Sequence, residues 1–327
     1  MKAIVAPQAG GPEVLTLAEV PAPIAGPGEV LIDVVAAGIN RADVQQRRGF
    51  YPPPPGASEI LGLEVSGRIA GFGPGVTKPF TVGEKVVALL TGGGYAQQVA
   101  VPAGQVLPLP DGVDIVTAAS LPEVAATVYS NLFMTALLQP GETVLIHGGT
   151  GGIGVMAVQL AKAAGAFVIA TAGSEEKVAT LTGYLGADVA INYRTQDFVK
   201  VVQDHTDGRG VNVILDVVGA KYLQQNVDAL ALYGRLVVIG LQGGAKAELN
   251  LGTLLAKRAA VIGTTLRGRP VGEKSAIMDG VRDHVWPLIA KGTVQTVVDK
   301  TFPLAQAPAA HAYFDSGAHV GKVLLTL

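Results

Sequence analysis

The stretch "LIHGGTGGIGVMAVQLAKAAGAFVIATAGS", residues 145–174, decides how the rest of the chain is read. An apolar run ends at His147, and Gly149-Thr150-Gly151-Gly152-Ile153-Gly154 then fits the pattern G-x-G-x-x-G. A helical segment follows, and "FVIATA" returns to strand character. Glycine patterns are common in a chain with 43 glycines, so the context carries the meaning. Without Cβ atoms a pyrophosphate can approach the backbone, and a helix N-terminus offers unpaired N–H groups and positive dipole character. The pattern therefore predicts a dinucleotide held at Thr150, Gly151, Gly152 and Ile153. A tight turn serving only helix–sheet packing is the plainer alternative.

Outward from this motif, residues 120 to about 265 alternate strand and helix. "SLPE" (120–123) reads as a capping box, with Pro122 in the first turn of an apolar helix that stops before "QPGE". Strands are predicted at 143–148, 167–172, 189–193, 211–219, 235–240 and 259–265. Gly165, Gly186 and Gly234 read as glycines just past helix ends. Six nearly uniform apolar strands separated by helices predict a parallel sheet buried on both faces, in the doubly wound order 3-2-1-4-5-6.

Residues 1–119 have a different texture. Short β-like runs at 29–38, 64–72, 84–90 and 95–102 are punctuated by Gly and Pro, the pattern of a compact β unit. "YPPPPGAS" (51–58) can be neither helix nor central strand and reads as a stiff surface loop. The tail (helix near 273–290, strand 294–302, helix near 305–315, strand 319–327) is too small to fold alone. It is expected to complete the N-terminal unit. The predicted domains are 1–120 with 267–327, and 121–266.

Composition removes several function classes. The chain has 327 residues, 24 basic against 26 acidic, so no basic field recruits nucleic acid or an anionic membrane. No apolar window reaches the ~20 residues of a membrane span. The N-terminus breaks at Pro7 and is not a signal peptide, which makes a cytoplasmic location the expectation. There is no cysteine, and therefore no disulfide, thiolate nucleophile or Cys-ligated zinc. The five histidines show no metal or triad spacing. His147 is read as structural, and Asp43 as a hydrogen-bonding residue of a helix or loop.

The coenzyme's identity turns on the end of the second strand, "TAGSEEK" (171–177). An NAD site wants a carboxylate there to accept from the ribose hydroxyls. Gly173 and Ser174 occupy the spot, and Glu175 and Glu176 come slightly late. A Gly-Ser pair does not repel a 2′-phosphate, Lys177 offers countercharge, and Tyr193 closes the third strand beside it. The expectation is NADP(H). Ser174 as a helix cap and Lys177 as a solvated lysine paired with the glutamates are the alternatives.

Several stretches resemble the medium-chain dehydrogenase/reductase superfamily: "AAGINRADVQQRRGFYPPPPGASEILGLEVSG" (36–67), "LLTGGGYAQQVAVP" (89–102), "LPEVAATVY" (121–129), the glycine-loop stretch and "GKVLLTL" (321–327). Within it the chain is most similar to the zinc-free, zeta-crystallin-like quinone oxidoreductases, in particular their tumour-suppressor-induced branch. The resemblance implies an α/β fold with a Rossmann domain inserted in a GroES-like β-rich catalytic domain, a cleft between the two, and a homodimer joined through the edge "AAVIGTTL" (259–266). It implies Asn40 and Thr127 near the nicotinamide, Gly240 and Leu241 along the coenzyme, and Leu266 and Arg267 at its nicotinamide end. The alcohol dehydrogenases of the superfamily bind zinc where this chain has Asn40 and Leu63, neither of which replaces a thiolate or an imidazole. The implied reaction is hydride transfer from NADPH to a quinone or enone without a metal. Tyr51 is the expected substrate contact and a possible proton donor, though an ordinary phenol near pKa ~10 is a poor acid at neutral pH.

Two other functions stay open. One is an enoyl-thioester reductase, with Arg41, Arg47 and Arg48 either gripping a coenzyme A phosphate or forming a solvated helix face. The other is a non-catalytic NADPH-binding sensor or RNA-binding protein; the mildly acidic balance disfavours RNA alone.

Overall fold

The computed structural model describes all 327 residues. The chain divides into two compact units, residues 1–126 with 266–327, and residues 127–265. The change in sequence texture puts the divisions at 120/121 and 266/267. The first observed division falls instead inside the helix Pro122–Val128, where composition does not change.

Residues 127–265 build a six-stranded, all-parallel sheet. Its spatial order is Val189–Asn192, Phe167–Ala172, Thr143–Ile146, Val211–Asp216, Leu230–Val238, Ala260–Gly263, which is 3-2-1-4-5-6. Val144, Leu145 and Ile146 are consecutive and all fully buried, because helices cover both faces. Each such side chain contributes roughly 1.5–3 kcal/mol of burial. Gly165 and Gly186 sit past helix ends at a φ of 80°, which glycine adopts without a Cβ clash.

Two local expectations are corrected. Gly234 does not end a helix: the helix Leu223–Ala229 stops at Leu230, whose extended backbone already belongs to the strand Leu230–Val238. The pairing with Val211–Asp216 jumps from Leu230 to Arg235, so Gly234 lies in a bulge, and the left-handed residue there is Tyr233 (φ 61°). Ser120 does not cap the following helix, since its hydroxyl donates to the Thr117 carbonyl. The first-turn N–H of Glu123 is taken by the carboxylate of Glu64, 59 positions away.

Residues 1–126 and 266–327 build a seven-stranded mixed sheet around the ten-residue strand Glu29–Gly38. This strand pairs with Glu64–Phe72, with Gln98–Pro102 and with the C-terminal strand Lys322–Thr326. The tail thus completes the unit. Its penultimate strand is shorter than predicted, Val298–Pro303, and runs parallel to Lys322–Thr326. Val30, Ile32 and Val34 alternate inward with Val65, Ile69 and Val86 to form the core. Residues 51–58 form no helix or strand, as the prolines require. No helix is long and apolar enough to cross a membrane.

Candidate functional site

In the unit of residues 127–265, the glycine loop joins the strand Thr143–Ile146 to the helix Gly152–Ala163, with Gly151 as N-cap. The glycines serve different ends. A Cβ on Gly154 would lie 2.2 Å from the Gly148 carbonyl oxygen, and one on Gly149 2.7 Å from Leu181 Cδ2. Both glycines are demanded by packing. A Cβ on Gly151 would meet only the Gly148 oxygen, at 3.5 Å, so the fold itself leaves that position room. Gly151 and Gly152 carry no side chain and, with Ile153, open a three-turn helix; the Gly151 N–H is taken by the Gly148 carbonyl at 3.0 Å, while the first-turn N–H groups have no acceptor within the helix. Thr150 is buried beside it.

The loop's approach is held by a buried chain of hydrogen bonds. Gly148 N–H donates to Thr171 Oγ1 at 3.2 Å, and His147 Nδ1 lies 3.3 Å from the same hydroxyl. His147 Nε2 donates to Asn226 Oδ1 at 2.7 Å. Burial pushes the imidazole down to about 4, against the Asn226 bond, so His147 is neutral and orders the strand end. On the next strand's far side, Asp216 accepts from the N–H groups of Val218 and Gly219, fixing the turn below Gly240 and the exposed Leu241.

At the end of the second strand, a Cβ on Gly173 would lie 2.5 Å from the Tyr193 hydroxyl, so glycine lets that ring lie over the strand end. Ser174 is the N-cap of the helix Glu175–Gly183, its Oγ accepting from Lys177 N–H at 3.3 Å. Glu175 is turned away to accept from Asn192 Nδ2. Gly173 and Tyr193 thus meet at the strand end, Lys177 is tied to Ser174 through its backbone, and one of the two late glutamates is diverted. Thr127 is buried, its carbonyl accepting from Asn131 Nδ2 at 2.8 Å.

In the other unit, Asn40 is enclosed by charge. Its Nδ2 donates to Glu64 Oε1 at 2.9 Å, and its Oδ1 accepts from Lys322 Nζ at 2.6 Å. Lys322 forms a buried ion pair with Glu64, also at 2.6 Å. Asp43 accepts from Asn40 N–H, Gly62 N–H and the Tyr95 hydroxyl, and burial pushes it up to about 6. Arg47 can only donate, so His311 accepts from it at Nδ1 and donates through Nε2 to Tyr95. Burial and Arg47 push His311 down to about 3.

Leu63, beside Glu64, is buried and has no donor atom. No group of three or more His, Cys, Asp or Glu is arranged so that it could hold a metal ion. A zinc ion therefore does not fit the donor set at Asn40 and Leu63.

Tyr51 and Arg267 are brought together. The guanidinium lies 5.5 Å over the phenol ring. It donates to the carbonyls of Thr91 and Tyr51 and to Gln46 Oε1, at 2.7, 3.4 and 2.8 Å. Burial and the charge of Glu123 raise the Tyr51 phenol above its ordinary value, so it stays protonated and can donate a hydrogen bond. Leu266 is buried next to Arg267. Of Arg41, Arg47 and Arg48, the first is half-buried, the second buried and the third exposed, and they form no open anion site. All three converge on Asp315, and Arg47 is 1% exposed.

Sequence reasoning missed Glu64, Lys322, Glu123 and Lys274 as members of this unit's polar centre. The available signal was a lone lysine inside the apolar strand "GKVLLTL" and a glutamate inside "ILGLEVSG", since neither residue is buried without a partner.

The sequence matches the zinc-binding dehydrogenase family over residues 152–279 and the alcohol dehydrogenase GroES-like domain over residues 26–111. It is 34% identical to a 2-haloacrylate reductase of Burkholderia sp, across 97% of this chain and 96% of that one. It is 33% identical to a quinone oxidoreductase of Rattus norvegicus, across 100% and 98% of the two chains. The fold superposes on the crystal structure of an Escherichia coli quinone oxidoreductase complexed with NADPH, with a TM-score of 0.88 at 31% identity over the whole of both chains.

Proposed function

This chain belongs to the medium-chain dehydrogenase/reductase superfamily of oxidoreductases, and we propose that it is an NADPH-dependent quinone reductase working without zinc. The observation that carries the reading is the backbone at Gly151, open where a side chain would fit, at the head of a helix. The likeness to a quinone oxidoreductase complexed with NADPH supports the same coenzyme here. The bound dihydronicotinamide would supply the hydride. The glycine-loop N–H groups hold its pyrophosphate, and Ser174, Lys177 and Tyr193 receive the 2′-phosphate. Tyr51 donates a hydrogen bond to the acceptor's oxygen, with Arg267 stacked on the phenol to fix the ring. A quinone accepts hydride without a Lewis acid, which suits a site with Asn40 and Leu63 at these positions.

A second reading is reduction of an activated C=C bond, favoured by the likeness to a 2-haloacrylate reductase. The capture of Arg41, Arg47 and Arg48 by Asp315 speaks against a coenzyme A phosphate at that face. The deciding experiment follows NADPH oxidation with quinones, enals, 2-haloacrylates and enoyl thioesters, with NADH as control. Fastest turnover with quinones supports the first reading, and preference for conjugated C=C acceptors the second. Coenzyme binding with no oxidation by any acceptor would leave a sensor. We also propose a homodimer through the exposed edge strand Ala260–Gly263, to be checked by sedimentation.

A further inference from the structure

Arg267 and Lys274 are buried cations, 4% and 3% exposed, and neither has a carboxylate within ion-pairing distance. Their hydrogen bonds go to neutral acceptors. Arg267 uses Thr91, Tyr51 and Gln46, while Lys274 Nζ donates to Thr91 Oγ1 at 2.6 Å and to the Arg267 carbonyl at 3.3 Å. Two adjacent desolvated cations without a counterion form a preorganised field for negative charge on a ligand.

The charge of Glu123 bears on both cations and on the Tyr51 phenol, and that of Asp43 bears on Arg267 as well. The Glu123 backbone is clamped, the N–H donating to Glu64 Oε2 at 2.8 Å, but its side chain makes no ion pair or hydrogen bond. Glu123 keeps partial solvent access, while the surrounding protein desolvates it. The charged groups around it are Glu64 and Lys322 on two strands, Asp43 on the helix Arg41–Arg47, and Arg267 and Lys274. Burial and the negative charge of Glu64 push it up to about 8, more than Lys322 and Arg267 pull it down. The Tyr51 phenol is pushed the other way from usefulness, to a weaker acid.

Resting on the quinone-reductase reading above, we propose that Glu123 is the proton donor of this wall, delivering its carboxyl proton to the oxyanion that the acceptor acquires on taking hydride opposite Arg267 and Lys274. The dihydronicotinamide coenzyme is oxidised by losing hydride, and the quinone gains its two electrons and one hydrogen. The carboxyl O–H bond breaks as the second O–H of the hydroquinone forms. The Glu123 carboxylate then recovers a proton from water.

The test compares the holoenzyme with its Glu123→Gln variant, which keeps the clamped backbone. The pH profile of kcat with a quinone at saturating NADPH should fall as pH rises through about 8 in the parent. The variant should be slower at pH 7 by roughly 100-fold, the lower end of general-acid effects, and lack that limb, with calorimetric NADPH affinity unchanged. An unaltered kcat and an unaltered limb overturn the proposal. Infrared titration of the parent is independent of the variant's folding. A neutral carboxyl band present at pH 7 and lost near pH 8 supports the proposal, and its absence at pH 7 overturns it. Should the parent oxidise NADPH with no acceptor at all, the quinone-reductase reading fails, and the infrared titration still judges Glu123.

Discussion

The ammonium of Lys322 lies 2.6 Å from the carboxylate of Glu64, and both groups are buried. The pair closes a triangle with the Asn40 amide, which donates to Glu64 and accepts from Lys322. The second oxygen of Glu64 takes the N–H of Glu123. One carboxylate thus orients Asn40, begins the helix Pro122–Val128 and raises the proton affinity of Glu123.

Removing one partner leaves the other charged and alone in a dry interior. Lys322→Met should cost about 3–5 kcal/mol in denaturant unfolding, the range for broken buried pairs. The double variant Glu64→Gln/Lys322→Met should recover much of that loss. Equal destabilisation by the single and double variants would show that packing of the lysine stem, rather than the pair, is at stake.

The glycines of the loop should separate by role. Gly151→Val should abolish NADPH binding measured by calorimetry with little change in melting temperature, because the fold leaves that position room. Gly154→Ala should destabilise the protein, since its Cβ would lie 2.2 Å from a backbone oxygen. Retained NADPH affinity in Gly151→Val would move the pyrophosphate elsewhere.

Lys177→Ala should raise KM for NADPH, roughly tenfold, the order of one charge-assisted contact, and leave KM for NADH nearly unchanged. Ser174 should still cap the helix in this variant, because its bond is to the Lys177 backbone. Equal effects on the two coenzymes would argue against a 2′-phosphate contact.

The stability of the protein should decline between pH 7 and 8. Glu123 is raised from 4.5 to about 8, so the folded state holds a proton that the unfolded state has released. That contribution is whole below about 4.5 and is lost as pH rises to about 8. Discounted for residual solvent access, the slope should be about 1 kcal/mol per pH unit. Glu123→Gln should flatten it, and urea midpoints measured across this range provide the check. His147 and His311, both held well below 6.5, are neutral when folded but take up protons on unfolding near pH 7, so they oppose this slope slightly at pH 7 and hardly at all at pH 8.

What the sequence determined by itself is everything written in local spacing. The run from strand through Gly149–Gly154 to helix and strand specifies a doubly wound sheet, because uniform apolar strands have to be covered on both faces and crossovers are right-handed. Gly165 and Gly186 mark helix ends in the same local way, and the proline tract excludes regular structure by its own chemistry. Tertiary structure alone decided the polar centre. Lys322 reaches Asn40 across 282 positions, and Asp315 gathers three arginines from the start of the chain. A Glu64 oxygen supplanted Ser120 as the partner of a first-turn N–H, and a bulge claimed Gly234 from a helix end. Periodicity records which face of an element is buried, whereas the pairing of buried charges, and the proton affinity of Glu123 that follows from it, depend on which distant segments share one desolvated space.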